Sequence, residues 1–234
     1  RYFNREGRYG EGGAYRDPNS PYRSWYDFGS KYKGGYRSWW GFETLPEVEE
    51  EDPSYGNFVC GKGGVIDTWL GLGASGFRLD VADELPDDFI EKIRAAVKAH
   101  AEDKLLIGEV WEDATTKVAY SQRRRYLLGH ELHGVMNYPF RTALIAYLRG
   151  GDADDFRETL ETLRENYPPE AFLSLMNFLG THDTPRILTV LGADNVPDNK
   201  ADRAAYRLSP AQRQIGLERL RLAALILFTF PGAP

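Results

Sequence analysis

Residues 76–86 read GFRLDVADELP, a short apolar run that carries Arg78 and Asp80 two positions apart and ends against an acidic stretch opening at Asp87. Alternation along a strand puts Arg78 and Asp80 on one side, where the guanidinium can hold a neighbouring carboxylate ionised and correctly turned. Asp87 and Asp88 ahead of Ile90 mark a helix start, because acidic side chains are favoured against the first-turn dipole. A strand feeding directly into an amphipathic helix is one unit of a parallel α/β sheet.

The texture repeats outward from that unit. Strands are expected at Gly76–Val81, Leu105–Val110, Gly134–Tyr138, Phe172–Leu179 and Ala224–Phe230. Helices are expected near Gly64–Leu72, Asp87–His100, Thr116–Leu128, Thr142–Arg149, Asp152–Asn166, Pro185–Leu191 and Pro210–Leu222. Asp80 to Glu109 is 29 residues and Glu109 to Met136 is 27, each the length of one strand, helix and return loop. A closed eight-stranded α/β barrel takes ~250 residues, whereas 171 follow residue 63 here, enough for the five strands. The fold class is therefore α/β, a partial (β/α)8 TIM barrel over residues 64–234, preceded by an irregular loop subdomain over residues 1–63. That subdomain holds 15 of the 31 aromatic residues among glycines and prolines. Such a segment is an aromatic-stapled subdomain, a ligand-facing loop, or both.

The chain of 234 residues is 42% hydrophobic and 27% charged, which excludes a disordered chain, and no apolar run is long enough to span a bilayer. A net charge of -6 argues against a nucleic-acid partner, which would need a basic face. The single cysteine, Cys60, cannot form an internal disulfide. Location stays open with the cytoplasm favoured, since the chain opens at Arg1 and a signal segment could precede it.

Three strand ends deliver a carboxylate: Asp80 in GFRLDVADELP, Glu109 in LLIGEVWEDA and Asp183 in FLGTHDTPRI. Each alone reads as well as a helix cap. Together, with Arg78 near one and His182 beside another, they point to a single cleft at the C-terminal edge of a parallel sheet. Two carboxylates ~5 Å apart serve retaining glycoside hydrolysis, one attacking the anomeric carbon while the other protonates the leaving oxygen and later activates water. His130 and His133 have a metal-like spacing, but no further ligand joins them, so neither a metal nor a cofactor is expected from the residues. YKGGYRS and CGKGG lack the Lys-Ser/Thr of a phosphate loop, and Arg123–Arg125 reads as a solvated helix face.

These motifs resemble the alpha-amylase family of glycoside hydrolases, in particular its neopullulanase, cyclomaltodextrinase and maltogenic-amylase branch. GFRLDVA is similar to the family's fourth-strand motif, GEVW to its fifth and THDTPR to its seventh, in that order. The resemblance implies Asp80 as nucleophile, Glu109 as general acid/base and Asp183 as transition-state stabiliser. It implies Arg78 as the nucleophile's partner and His182 as a hydrogen bonder to the sugar. Trp111 resembles an aromatic platform on the leaving-group side and reads equally as packing beside the strand. By the same resemblance, residues 1–63 lie between the third strand and third helix, and LILFTFPGAP is similar to the eighth strand.

The resemblance implies an internal piece of a longer retaining α-glycoside hydrolase acting on α-1,4 linkages of glucans or maltooligosaccharides, and leaves α-1,6 linkages open. The isolated chain is expected to be weakly active or inactive. The trio could instead hand the glucosyl group to a sugar, making a transglycosylase, or persist in a glycan-binding relative without catalysis. The resemblance leaves calcium and the oligomeric state of the full-length protein undecided, the branch it resembles often dimerising through a domain outside this chain.

Overall fold

The structure, a computed structural model, describes residues 1–234. Four residues of the opening stretch form β1 (Gly76–Leu79), which is followed by α3 (Asp87–His100). Two short helices precede β1: α1 (Pro53–Cys60) and α2 (Val65–Gly71). Asp52 caps α1, its carboxylate accepting from the amides of Ser54 at 2.8 Å and Tyr55 at 2.9 Å, with Pro53 in the first turn where a missing N–H costs nothing.

The chain divides into two compact units. The first comprises residues 1–76 and 85–104. Its helices bury Ile66, Leu70, Ile90, Ile93 and Val97, whereas its loop segment lacks aliphatic periodicity and is held by rings. Phe3 and Tyr36 are buried with Ala14, and Tyr22, Tyr26 and Phe28 pack against them. Phe3 meets Tyr36 edge-on at 4.6 Å and Tyr26 at 4.8 Å, the offset geometry aromatic quadrupoles favour. Buried Trp25 donates its indole N–H to Ser54 at 2.7 Å, joining the loops to α1. Tyr55 of α1 stacks on Phe89 of α3 at 5.9 Å.

The second unit comprises residues 77–84 and 105–234. Its sheet runs β1–β2–β5, with β2 at Leu105–Gly108 and β5 at Gly134–Val135. β2 and β5 are parallel, Ile107 opposite Gly134 and Gly108 opposite Val135. Beyond β5 the pairing continues through single residues, Met136 with Met176 and Met176 with Ala233, both parallel. The helices of this unit are α4 (Tyr138–Leu148), α5 (Ala153–Asn166), α6 (Pro169–Leu173), α7 (Ile187–Gly192), α8 (Lys200–Ala205) and α9 (Pro210–Thr229). α7 and α9 pack closely because Gly192 has no side chain: a Cβ there would stand 2.5 Å from the carbonyl of Gln212. No helix is long and apolar enough to cross a membrane.

Five expectations are corrected. Residues 224–230, read as a strand and as the eighth strand of the resemblance, lie in α9 up to Thr229. A capping box at Ser209 and Gln212 with Pro210 launches that helix, and nothing in LERLRLAALILFT stops it before Pro231. Only Ala233 beyond it pairs with the sheet. Residues 116–128, read as a helix, instead hold the hairpin β3 (Val118–Ala119) and β4 (Gln122–Arg123). Tyr120 and Ser121 turn it with φ of 51° and 63°, the left-handed pair of a tight hairpin. Its flanks are drawn to Asp83: the Lys117 ammonium lies 2.8 Å and the Tyr126 hydroxyl 2.6 Å from its carboxylate, and Arg124 donates to its carbonyl at 2.9 Å. Arg124 is therefore buried rather than on a solvated helix face.

Residues 172–179 are not a continuous strand, because Pro168 and Pro169 start α6, which runs to Leu173 and leaves Met176 alone to pair. The Gly134–Tyr138 strand ends early and α4 begins at Tyr138 rather than near Thr142. Asn137 caps it by accepting from the amide of Phe140 at 3.2 Å, with Pro139 in the first turn.

Candidate active site

β1 ends at Leu79, and the next two residues set the geometry of the site. Val81 has φ of 44°, a left-handed conformation that a β-branched residue adopts only when its surroundings impose it. That turn aims the Val81 amide at the Glu109 carboxylate, to which it donates at 2.9 Å. Glu109 follows β2 directly, its own amide donating to the Leu79 carbonyl at 2.9 Å, so the ends of β1 and β2 are stitched where the two carboxylates emerge.

Arg78 joins those carboxylates. Its Nη1 donates to Asp80 Oδ1 at 2.6 Å and its Nη2 lies 3.0 Å from Glu109 Oε2. Nε donates to the sulfur of Met136 at 3.2 Å, anchoring the fork to the end of β5. Burial works against the guanidinium charge, but the hydrogen bond to Asp80 and the fields of Glu109 and Asp80 outweigh it and raise its pKa. The acids differ in setting: the side chain of Glu109 is 5% exposed and that of Asp80 72%.

The other oxygen of Glu109 accepts from the Trp111 indole at 3.2 Å and the Tyr138 hydroxyl at 3.4 Å. Trp111 lies flat on Tyr138, centroids 3.9 Å apart and planes 17° apart, while Phe178 meets the far side of Tyr138 edge-on at 4.7 Å. Trp111 thus packs beside the strand and remains 49% exposed on its open side. Tyr138 also hydrogen-bonds to Thr181 and feels the charges of Glu109 and Asp183. Burial, opposed by the Thr181 bond and assisted by those charges, holds its phenol above the ordinary range, so it stays a donor at neutral pH.

Asp183 sits in a turn closed by its own neighbours. Its amide donates to Thr181 Oγ1 at 3.2 Å, and Thr181 in turn accepts and donates around Thr184. His182 Nε2 lies 3.2 Å from Asp183 Oδ2, and His182 is exposed. Of the six residues singled out from the sequence, Arg78, Asp80, Glu109 and Trp111 are brought together by direct contacts, and Tyr138 joins them through Glu109. His182 and Asp183 contact each other, and Asp183 reaches the group through its field at Tyr138.

Tyr138 was not singled out by the sequence reading. The rule that located the acids, that chemistry gathers where parallel strands end, applies to it equally, since it lies three residues past Val135 in VMNYPF. His133 ties into the sheet, its Nδ1 accepting from the Leu106 amide at 2.9 Å.

The chain belongs to the alpha-amylase family: the family's model of the alpha amylase catalytic domain matches residues 36–213. It is 33% identical to the amylopullulanase of Thermoanaerobacter thermohydrosulfuricus, over 100% of this chain and 17% of that protein. It is 32% identical to the cyclomaltodextrinase of Geobacillus thermopakistaniensis, over 85% of this chain and 32% of that protein. Among solved structures, the debranching enzyme of Nostoc punctiforme soaked with acarbose superposes with a TM-score of 0.73 at 26% identity, over 94% of this chain and 46% of that one. The chain spans less than half the length of each of these relatives. Family and neighbours imply a (β/α)8 barrel-type fold, of which the parallel β1–β2–β5 sheet is a part.

Proposed function

We propose that the intact protein is a retaining α-glycoside hydrolase acting on α-1,4-linked glucans or maltooligosaccharides, and on α-1,6 linkages as well. The observation that carries this reading is the single guanidinium of Arg78 gripping Asp80 at 2.6 Å and Glu109 at 3.0 Å. Two carboxylates held by the two ends of one fork suit the ~5 Å pairing of direct nucleophilic attack better than the wider gap that must admit a water. The names of the relatives, amylopullulanase, cyclomaltodextrinase and debranching enzyme, supply the substrate class.

In this reading the segments at 76–79, 105–108, 134–136, 176 and 233 are the fourth to eighth strands of the barrel, and residues 1–63 form the excursion after the third. Glu109 first takes up a proton from solvent; exposed Asp80 then attacks the anomeric carbon, and the bond to the leaving oxygen breaks as Glu109 delivers that proton there. A β-glucosyl ester on Asp80 results. Glu109 then takes a proton from water, whose oxygen displaces Asp80 and restores the α configuration. Asp183 faces the positive charge that develops on the ring, and His182 bonds to the sugar. Trp111, braced flat on Tyr138, offers its exposed face to the leaving sugar. Positioned proton transfer contributes ~10²–10⁴-fold and electrostatic stabilisation adds to it, so these side chains account for the steps.

The test is proton NMR of a maltooligosaccharide digest by the intact protein. The first-released sugar is expected as the α anomer, and Asp80→Asn or Glu109→Gln is expected to lower the rate by at least ~100-fold. Release of the β anomer would overturn the retaining mechanism, and undiminished turnover by either variant would overturn the assignment.

A further inference from the structure

One residue past Asp183 the chain begins to line a second cavity. It has a volume of about 610 Å³, within the range that ligand pockets occupy, and lies among Thr184–Thr189, α8 and the start of α9. Four arginines line it, Arg186, Arg203, Arg207 and Arg213, and no carboxylate does. In a chain whose acids outnumber its bases 35 to 29, that is a local reversal of charge.

None of the four makes an ion pair. Arg203 donates to the carbonyls of Pro197 at 3.0 Å and Asp198 at 2.8 Å, and Arg207 to those of Ala204 and Tyr206, both at 2.8 Å. Those contacts with backbone fix the two forks without neutralising them and leave the remaining N–H groups of each unused. Arg186 and Arg213 have no side-chain partner at all. Two nearby acids are turned to amides: Asp202 receives Asn199, and Asp194 receives Gln212 at 3.0 Å. Tyr206, Leu188, Val196 and Leu208 supply an apolar lining alongside.

We propose that this pocket is an anion site for a phosphate monoester, the phosphate seated among the arginines, which match its oxygens as planar forks. Charge-assisted bonds of this type are the strongest that side chains offer an oxyanion, and two fixed arginines cost less ordering on binding than free ones. The anion is carried on a saccharide or is free phosphate. The saccharide-borne form rests on the glycosidase reading, whereas the anion site stands without it, and its test measures binding rather than turnover.

The experiment is isothermal titration calorimetry of the intact protein with inorganic phosphate, glucose 6-phosphate and glucose. Both phosphates are expected to bind, more weakly as sodium chloride is added, and glucose alone is not expected to bind in this pocket. Arg213→Gln is expected to weaken both by about tenfold, the loss of one hydrogen bond to a charged group. It breaks no contact within the chain, and its circular dichroism spectrum and thermal unfolding should match the parent's. Arg203→Gln provides a second variant from α8, with the same expectation for binding. Tighter binding of glucose 6-phosphate than of phosphate assigns the site to a phosphorylated saccharide, and equal binding to the free anion. Absence of binding by both phosphates at millimolar concentration, or binding unchanged in both variants, overturns the proposal.

Discussion

Replacing Arg78 by Gln removes the one group that touches both Asp80 and Glu109, and the cost can be worked from their surroundings. The contact with Asp80 is worth ~0–1 kcal/mol, because that carboxylate is 72% exposed and water screens it. The contact with Glu109 counts as buried, since that side chain is 5% exposed, and removing one partner of a buried pair costs ~3–5 kcal/mol when the survivor is left uncompensated. Glu109 is not wholly abandoned: the Val81 amide, the Trp111 indole and the Tyr138 hydroxyl still donate to it. The expected loss is therefore about 2–3 kcal/mol. At ~2–4 °C per kcal/mol for a domain of this size, the melting temperature should fall by about 4–12 °C.

The assay is thermal unfolding of the intact protein carrying Arg78→Gln, Glu109→Gln and both. A neutral amide at 109 no longer needs a cation, so the double variant should be more stable than the two single losses added together, with a coupling of at least ~1 kcal/mol. A shift below about 2 °C for Arg78→Gln, or losses that add within ~0.5 kcal/mol, would refute the claim that the guanidinium compensates a buried charge.

Three further outcomes rest on the same geometry. Tyr138→Phe keeps the stack on Trp111 but removes the hydroxyl that donates to Glu109 at 3.4 Å, and kcat/KM on maltooligosaccharide is expected to drop ~10-fold with the melting temperature little changed. Gly134→Ala would place a Cβ 2.3 Å from the Ser174 carbonyl where β5 pairs, so denaturant unfolding should show a loss of ~1–3 kcal/mol from overpacking. Burial, together with the fields of Tyr55 and Tyr2, pushes Tyr26 up to about 12, whereas an unfolded chain releases such a proton near 10. The folded state then holds the proton longer, so stability is undisturbed below about pH 10 and falls between about 10 and 12. Tyr26→Phe should remove that part of an alkaline unfolding profile followed by tryptophan fluorescence.

The acids were legible because each follows a short apolar run, and the end of a parallel strand is where the backbone itself directs a side chain into the site. The same period-based reading failed at α9. LERLRLAALILFT is apolar on more than one face, and such a run is equally a buried strand or a packed helix until the capping box at Ser209 is allowed to decide. It failed at residues 116–128 for a different reason. Tyr120 and Ser121 carry none of the Gly or Asn signals of a tight hairpin, and the hairpin is held by Lys117, Arg124 and Tyr126 reaching Asp83, a tertiary influence invisible in a local window. Tyr138 escapes a search for charge at strand ends, because what it brings to Glu109 and Trp111 is a hydroxyl and a ring.

The central claim is that Asp80 forms the covalent bond to sugar while Glu109 manages the proton. It is tested most directly by incubating the intact protein with a fluorinated glucosyl fluoride, which slows release of the intermediate, and mapping the adduct by peptide mass spectrometry. One glucosyl unit is expected on the peptide containing Asp80, absent in Asp80→Asn. An adduct on another carboxylate, or steady turnover of natural substrate by Asp80→Asn, would contradict it.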